Sequence, residues 1–258
     1  MERLRARLDS ANRVLQDTYG ELARLIDTLD DPESRGAVNA MIWQCAAGRS
    51  SRDRYFSQCG QDAYLDTHVF GRKRGGVFVD VGAYDGITGS NTLFFEVFRG
   101  WSGLLIDAVE EQLDIARDFR KGECLQAFIG DGSSSEFMTV DGGPTMMSGL
   151  TGSLHDVKRK WVEEHPKTSM RIEACQTRRL GDILLERGMT RIDFLSLDIE
   201  GAELQVIESF PFDEISVTCW SIEAFEHKPA IDEVMEKRGF VWLDRIGDDD
   251  LYVPPDLA

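Results

Sequence analysis

The chain has 258 residues, enough for one α/β core with an appendage, and its 42% hydrophobic content is ordinary for a globular protein. A formal net charge of −17 disfavours nucleic acid as a partner and adhesion to an anionic membrane surface, since both need clustered Lys and Arg. No apolar run approaches the ~20 residues of a membrane span, no apolar segment of signal-peptide type follows the basic N-terminus, and the five cysteines lack CxxC spacing, so a reduced, cytoplasmic protein is expected.

Residues 1–50 read as a helical extension. Leu8, Leu15, Leu22 and Leu29 recur every seven positions, with Leu4, Ala11, Thr18 and Leu25 between them. This a/d pattern over about four heptads favours a small coiled coil and a homo-oligomer. The alternative is an amphipathic helix lying on the protein's own surface. Asp30-Asp-Pro-Glu-Ser-Arg-Gly36 breaks the helix, a second one covers roughly 37–47, and the core domain, 51–258, takes shape from about Tyr55.

From there strands and helices alternate, the pattern of a mainly parallel sheet wound by helices. Strands are expected at 77–81, 103–107, 125–129, 192–198 and 217–222. A last pair, 240–245 and 250–253, has so short a connection that it must form an antiparallel hairpin. Helices are expected at 61–70, 90–98, 110–120, 180–187, 203–208 and 231–238. The glycine-rich insertion Asp141-Gly-Gly-Pro-Thr-Met-Met-Ser-Gly-Leu-Thr-Gly152, followed by a helix near 155–164, reads either as a lid or substrate platform or as a disordered loop without function. The basic clusters Lys158-Arg159-Lys160 and Arg178-Arg179 read as solvated faces, with a local basic patch as the alternative.

The most informative stretch is Val77-Phe-Val-Asp-Val-Gly-Ala-Tyr-Asp-Gly86. It reads as a buried parallel strand that empties into a tight glycine-bearing loop. Asp-x-Gly-x-x-x-Gly is neither the Gly-x-Gly-x-x-Gly of a dinucleotide fingerprint nor a phosphate-cradling P-loop. It suits a small nucleoside-like ligand carrying positive charge. Asp80 ends this strand, where ligands bind in open α/β sheets.

Further acids fall at or just after later strand ends: Asp107, Asp131, Asp198 with Glu200, and Glu223. A whole rim of desolvated carboxylates suggests a polar ligand. Asp107 lies 25 positions beyond Gly82, near the ~20-residue offset of a ribose-binding acid. Asp131, in Ile129-Gly-Asp-Gly132, is placed to meet an adenine amino group. The plainer readings are a helix N-cap for Asp107 and a turn residue for Asp131. Glu203 suits the helix dipole. Asp198 and Glu200 can act as general base, as acceptors for a hydroxyl substrate, or as oxygen ligands to a divalent ion.

Tyr55-Phe-Ser-Gln-Cys-Gly-Gln-Asp-Ala-Tyr64, Gly76-Val-Phe-Val-Asp-Val-Gly-Ala-Tyr-Asp-Gly86 with Ser90-Asn-Thr92, Trp101-Ser-Gly-Leu-Leu-Ile-Asp107 and Ile192-Asp-Phe-Leu-Ser-Leu-Asp-Ile-Glu-Gly-Ala-Glu203 occur in that order. Together they resemble the FkbM family of S-adenosylmethionine-dependent methyltransferases, over roughly 55–253. The resemblance implies a class I (Rossmann-like) methyltransferase fold, with a seven-stranded, mainly parallel sheet and a C-terminal antiparallel hairpin. It also implies O-methylation of a hydroxyl on a sugar, glycan or natural-product acceptor. By the same resemblance Asp80 and the loop Gly82, Ala83, Tyr84, Asp85 and Gly86 hold the methionine end of the cofactor, with Gln58 and Asn91 beside it. Asp107 takes the ribose, Asp131 and Gly132 face the adenine, and Asp198 borders the methyl-transfer site. Two departures stand out: family members commonly carry Glu, often followed by Pro, where this chain has Asp107-Ala108, and many have Lys where it has Ser196.

The mechanism expected is direct attack of a substrate hydroxyl on the sulfonium methyl, with Asp198 as base and Glu200 or Glu223 next in order. His155, His227 and a divalent ion at Asp198 stay open as alternatives. Two other functions compete: a non-catalytic scaffold that works through its heptad helix, and a nicotinamide-dependent nucleotide-sugar enzyme.

Overall fold

The computed structural model describes residues 2–47, 55–141, 145–153, 169–224 and 227–258. The helix expected near 155–164, with His155 and the Lys158-Arg159-Lys160 cluster, lies outside the described residues.

Seven strands form the main sheet: β1 (Val77–Val81), β2 (Ser102–Asp107), β3 (Glu123–Gln126), β7 (Arg191–Leu197), β8 (Ser216–Glu223), β9 (Val241–Ile246) and β10 (Asp249–Val253). Their spatial order is β3-β2-β1-β7-β8-β10-β9. The first five run parallel, and β10 is antiparallel to both β8 and β9. The chain starts in the middle, winds outward to β3, then returns to the other side of β1. That reversal opens a crevice between the C-terminal ends of β1 and β7, the position at which open α/β sheets bind ligands.

Side chains alternate across each strand, so the sheet feeds two cores. Val79, Leu104 and Leu195 pack with α6 (Leu180–Glu186), α7 (Glu203–Glu208) and α8 (Lys228–Lys237) through Ile183, Val206 and Ile231. Phe78, Leu105 and Phe194 face the opposite side, where Phe94 and Phe95 of α4 (Leu93–Arg99) join them. Neighbouring α5 (Glu110–Phe119) buries Leu113 and Ala116.

The helix expected at 61–70 is a short α3 (Gln61–Tyr64) continued by a π-helical turn, Leu65–Val69. The third strand lies earlier than expected. Beyond Gln126 the chain leaves the ladder, and Ile129 instead makes an isolated bridge to Arg178.

The larger difference is the insertion. It belongs to a three-stranded antiparallel sheet in which the preceding β4 (Ser134–Asp141) pairs with β5 (Gly149–Leu150) and with the following β6 (Ser169–Gln176). Phe137 and Leu150 pack with Ala202 and with Ala108, Val109 and Ile199 from the rim of the main sheet. The described residues of this segment thus pack as a sheet against the rim of the main sheet.

The N-terminal residues form a helical pair, α1 (Glu2–Ile26) and α2 (Pro32–Ala47), with α2 packed on β9, the terminal strand. Arg35 pairs with Asp244 at 2.9 Å and donates to the Ile26 and Leu29 carbonyls, tying both helices to the sheet. Gly36 lies so close to the β9–β10 turn that a Cβ there would sit 2.3 Å from the Gly247 carbonyl oxygen. Leu15 and Leu22 of α1, and Leu29 just beyond it, are partly buried, whereas Ala11, Val14, Thr18 and Leu25 of α1 are exposed.

Candidate active site

The crevice between β1 and β7 is set by one close approach. Asp198 N donates to the Val81 carbonyl at 3.0 Å, and Gly82 N and Ala83 N both donate to the Ile106 carbonyl at 2.9 and 3.0 Å. Gly82 has φ 84°, and a Cβ on it would lie 1.6 Å from the Asp198 carbonyl oxygen. Only glycine fits there. Tyr84 (φ 51°) and Glu200 (φ 61°) are non-glycine residues held in the left-handed region. Such strain costs on the order of 1–3 kcal/mol each and gathers at functional sites.

Above these strand ends lies a cavity of about 430 Å³. Of the residues singled out from the sequence, Gln58, Gly82, Tyr84, Asn91, Asp107, Asp198, Glu200 and Glu223 line it. Asp80, Ala83, Asp85, Gly86, Asp131 and Gly132 do not. Asp80 is buried beneath the loop and accepts a 2.6 Å hydrogen bond from the Thr92 hydroxyl, and burial raises its pKa. Asp85 turns back onto Ile87 N and Thr88 N at 2.8 and 2.7 Å. Asp131 accepts from Ser133 N at 2.8 Å, and the Ser133 hydroxyl followed by this amide holds its carboxyl below the usual range, as in the plainer turn reading.

Asp107 accepts Tyr84 N at 2.7 Å on one oxygen and Val109 N at 2.8 Å on the other. It thereby fixes the glycine loop against the start of α5. Burial nevertheless pushes this carboxyl up to about 6. Ile106, Ala127 and Ile129 add an apolar floor nearby, beneath Phe137 and Leu150 of the inserted sheet.

The other wall is acidic. Asp198, Glu203 and Glu223 each offer a carboxylate oxygen within 4.8 Å of the others, a donor set able to hold a divalent ion. Glu203 is more than the helix-dipole residue expected. Its Oε1 accepts Ile199 N at 2.9 Å and Gly201 N at 3.1 Å, so the buried side chain clamps the turn that carries Asp198 and Glu200. Burial raises Glu203 to about 7, with the charge of Asp198 adding to the effect.

Sequence reasoning missed Asp249, which it treated as part of a hairpin. Antiparallel pairing sets Asp249 opposite Glu223, inside the cavity. It accepts from Ser221 Oγ at 2.8 Å and Asn91 Nδ2 at 3.2 Å. Burial and then the charge of Asp198 raise it to about 7. The signal available was the position of Gly247-Asp-Asp249 at the mouth of a hairpin beside the fifth strand. Met146, Met147 and Ser148 of the insertion also reach the cavity.

These raised values have a sign for stability. Glu203 favours folding while protonated, so its contribution is complete below pH ~4.3. It is lost as the pH rises to about 7. Glu203→Gln can keep both amide bonds without the ionisation. The variant is expected to lose part of the decline in urea-unfolding stability between about pH 5 and about pH 7.5. Identical slopes for the two proteins would contradict the assignment.

Residues 80–241 match the sequence model of the methyltransferase FkbM domain. Over 122 residues the chain is 34% identical to probable methyltransferase-like protein 24 of Rattus norvegicus, covering 42% of this chain and 34% of that protein. The Homo sapiens protein of the same description is 34% identical over 61 residues, 24% of this chain and 17% of that one. The chain thus spans only about a third of one of these curated relatives and less of the other. A solved methyltransferase FkbM from Methylobacillus flagellatus KT aligns with a TM-score of 0.39 at 14% identity, covering 92% of this chain and 58% of its own. A human methyltransferase 10 domain containing protein aligns with a TM-score of 0.40 at 12% identity, covering 86% and 94%. Both structural likenesses are too distant to bear on function. The family match spans more than half of the 258 residues, from Asp80 at the end of β1 to Val241 at the start of β9, and the chain belongs to the FkbM methyltransferase family.

Proposed function

We propose that the chain is an S-adenosyl-L-methionine-dependent O-methyltransferase acting on a hydroxyl of a sugar, glycan or natural-product acceptor. The observation that supports this most is the cavity at the β1–β7 switch point, with the glycine loop and Asp107 on one wall and Asp198, Glu200 and Glu223 on another. Its volume is in the range of small-molecule sites.

The residues present fit the cofactor. Gly82 keeps the loop backbone bare of side chain where a ligand lies against it. Asn91 Oδ1 is a buried acceptor with no hydrogen-bond partner among the described residues, and a ligand ammonium would satisfy it. Asp107 keeps acceptor capacity for ribose hydroxyls beyond its two amide bonds. Ile106, Ala127 and Ile129 offer an apolar surface for the base. When bound, S-adenosylmethionine supplies an electrophilic methyl group.

The chain's own part is to align the acceptor hydroxyl and remove its proton. Asp198 is the base in this reading, at the end of β7 and facing Glu223. The raised Asp249 carboxyl beside it can share or pass on a proton near neutral pH. Labelled methyl transfer from S-adenosylmethionine into fractionated lysate, followed by mass spectrometry of the product, tests this directly. Asp198→Asn should lower transfer about 100-fold or more while cofactor affinity moves by less than about threefold. A product methylated on nitrogen or carbon would overturn the O-methylation reading, and retained turnover would move the base elsewhere.

We also propose that α1 mediates self-association. The exposed Ala11, Thr18 and Leu25 are one half of the heptad seam, and they support this reading. Light scattering should give a multimer for the full chain and a monomer once residues 1–30 are removed. An unchanged mass would contradict it.

A further inference from the structure

The geometry assigns to Arg120, a residue outside the cavity, the positioning of the cofactor loop. This assignment rests on the proposed S-adenosylmethionine site for its consequence but not for its structural content.

Arg120 follows α5 directly, and its side chain is fully buried. Its guanidinium makes four hydrogen bonds, three of them to the segment between Gly86 and Thr92. Nη1 donates to the Gly86 carbonyl at 2.7 Å and to Ser90 Oγ at 3.3 Å, and Nη2 donates to Thr92 Oγ1 at 3.0 Å. The fourth bond, from Nε to Glu96 Oε1 at 3.2 Å, anchors the fork on α4. Glu96 is itself fixed by Lys121 N and Gly122 N at 3.0 and 2.9 Å.

Thr92 links this fork to the strand. Its hydroxyl has one proton, which goes to Asp80 Oδ2 at 2.6 Å, while its oxygen accepts from Arg120. A buried carboxylate, a hydroxyl and a guanidinium therefore form one oriented chain. Asp80 is raised by burial, and the nearby positive charge of Arg120 opposes that rise. The loop held in this way presents Gly82, Tyr84 and Asn91 to the cavity on its other side. This explains how Asp80 can matter to a ligand without lining its site: it acts through Thr92 and Arg120. A lysine in place of Arg120 would keep the charge but not the planar fork that reaches three loop groups at once.

Hydrogen exchange on the ligand-free protein and calorimetric titration with S-adenosylhomocysteine test the assignment. Arg120→Lys should speed exchange of amides 86–92 about tenfold or more, while the β7 amides keep their protection. It should weaken S-adenosylhomocysteine binding about tenfold or more at unchanged stoichiometry, the size of a lost charged hydrogen bond. Thr92→Val, which keeps shape but removes both the bond to Asp80 and the one from Arg120 Nη2, should move both readouts the same way. That second variant decides the matter if Arg120→Lys fails to fold. Unaltered loop exchange and affinity would overturn the assignment, as would loss of β7 protection in step with the loop, which marks a purely structural role. If the unaltered protein binds no S-adenosylhomocysteine, the cofactor reading fails, and the exchange measurement still decides whether Arg120 holds the loop.

Discussion

Two strand ends that nearly collide set the geometry of this molecule. Gly82 lies against the Asp198 carbonyl with no room for even a methyl group. That approach lets β1 and β7 turn away from each other in opposite directions while their first loop residues stay in one crevice. The register then does the rest. Val81 pairs with Ile106 on one side and Leu197 on the other, so Asp107 and Asp198, each one residue further on, project from neighbouring strands into one space. The chemistry of the site depends on this backbone contact before it depends on any side chain.

A second constraint is electrostatic. Asp107, Glu203 and Asp249 are all raised toward neutrality, in each case mainly by burial. Gathering such groups at one rim opposes folding as the pH climbs, because each must ionise in a poorly solvated place. A cationic ligand reverses that penalty by favouring the ionised forms. The arrangement sacrifices stability in the free protein for affinity toward positive charge, and a sulfonium cofactor carries such charge. Glu203 clamps the Asp198 turn and Arg120 bonds to the 86–92 segment of the other wall.

The main sheet was legible because buried parallel strands read as short continuous apolar runs that end in Asp or Gly; β1 lies at 77–81 as expected. Helix limits drifted by a few residues, as at α4, which begins at Leu93 after Ser90 caps the turn. The inserted sheet was hidden. β6 is mostly exposed, so Ser-Met-Arg-Ile-Glu-Ala-Cys-Gln carries little burial signal, and its partner β4 is far away in sequence. Asp249 and Arg120 were hidden for the same reason: one reads as a turn residue and the other as a basic residue at a helix end. Their roles come from pairings with Glu223 and with Gly86, Ser90 and Thr92 that no local pattern encodes. Asp80 and Asp85 turn away from the cavity, onto Thr92 and onto Ile87 and Thr88; a sequence places a carboxylate at a rim without saying which way it turns.

The crevice between β1 and β7 is the proposed cofactor site. A crystal structure of the protein with S-adenosylhomocysteine tests it most directly. The ribose hydroxyls are expected at Asp107 and the amino-acid end against the loop that carries Gly82, Tyr84 and Asn91. Ligand bound away from that crevice, or no ligand bound at millimolar concentration, would contradict it.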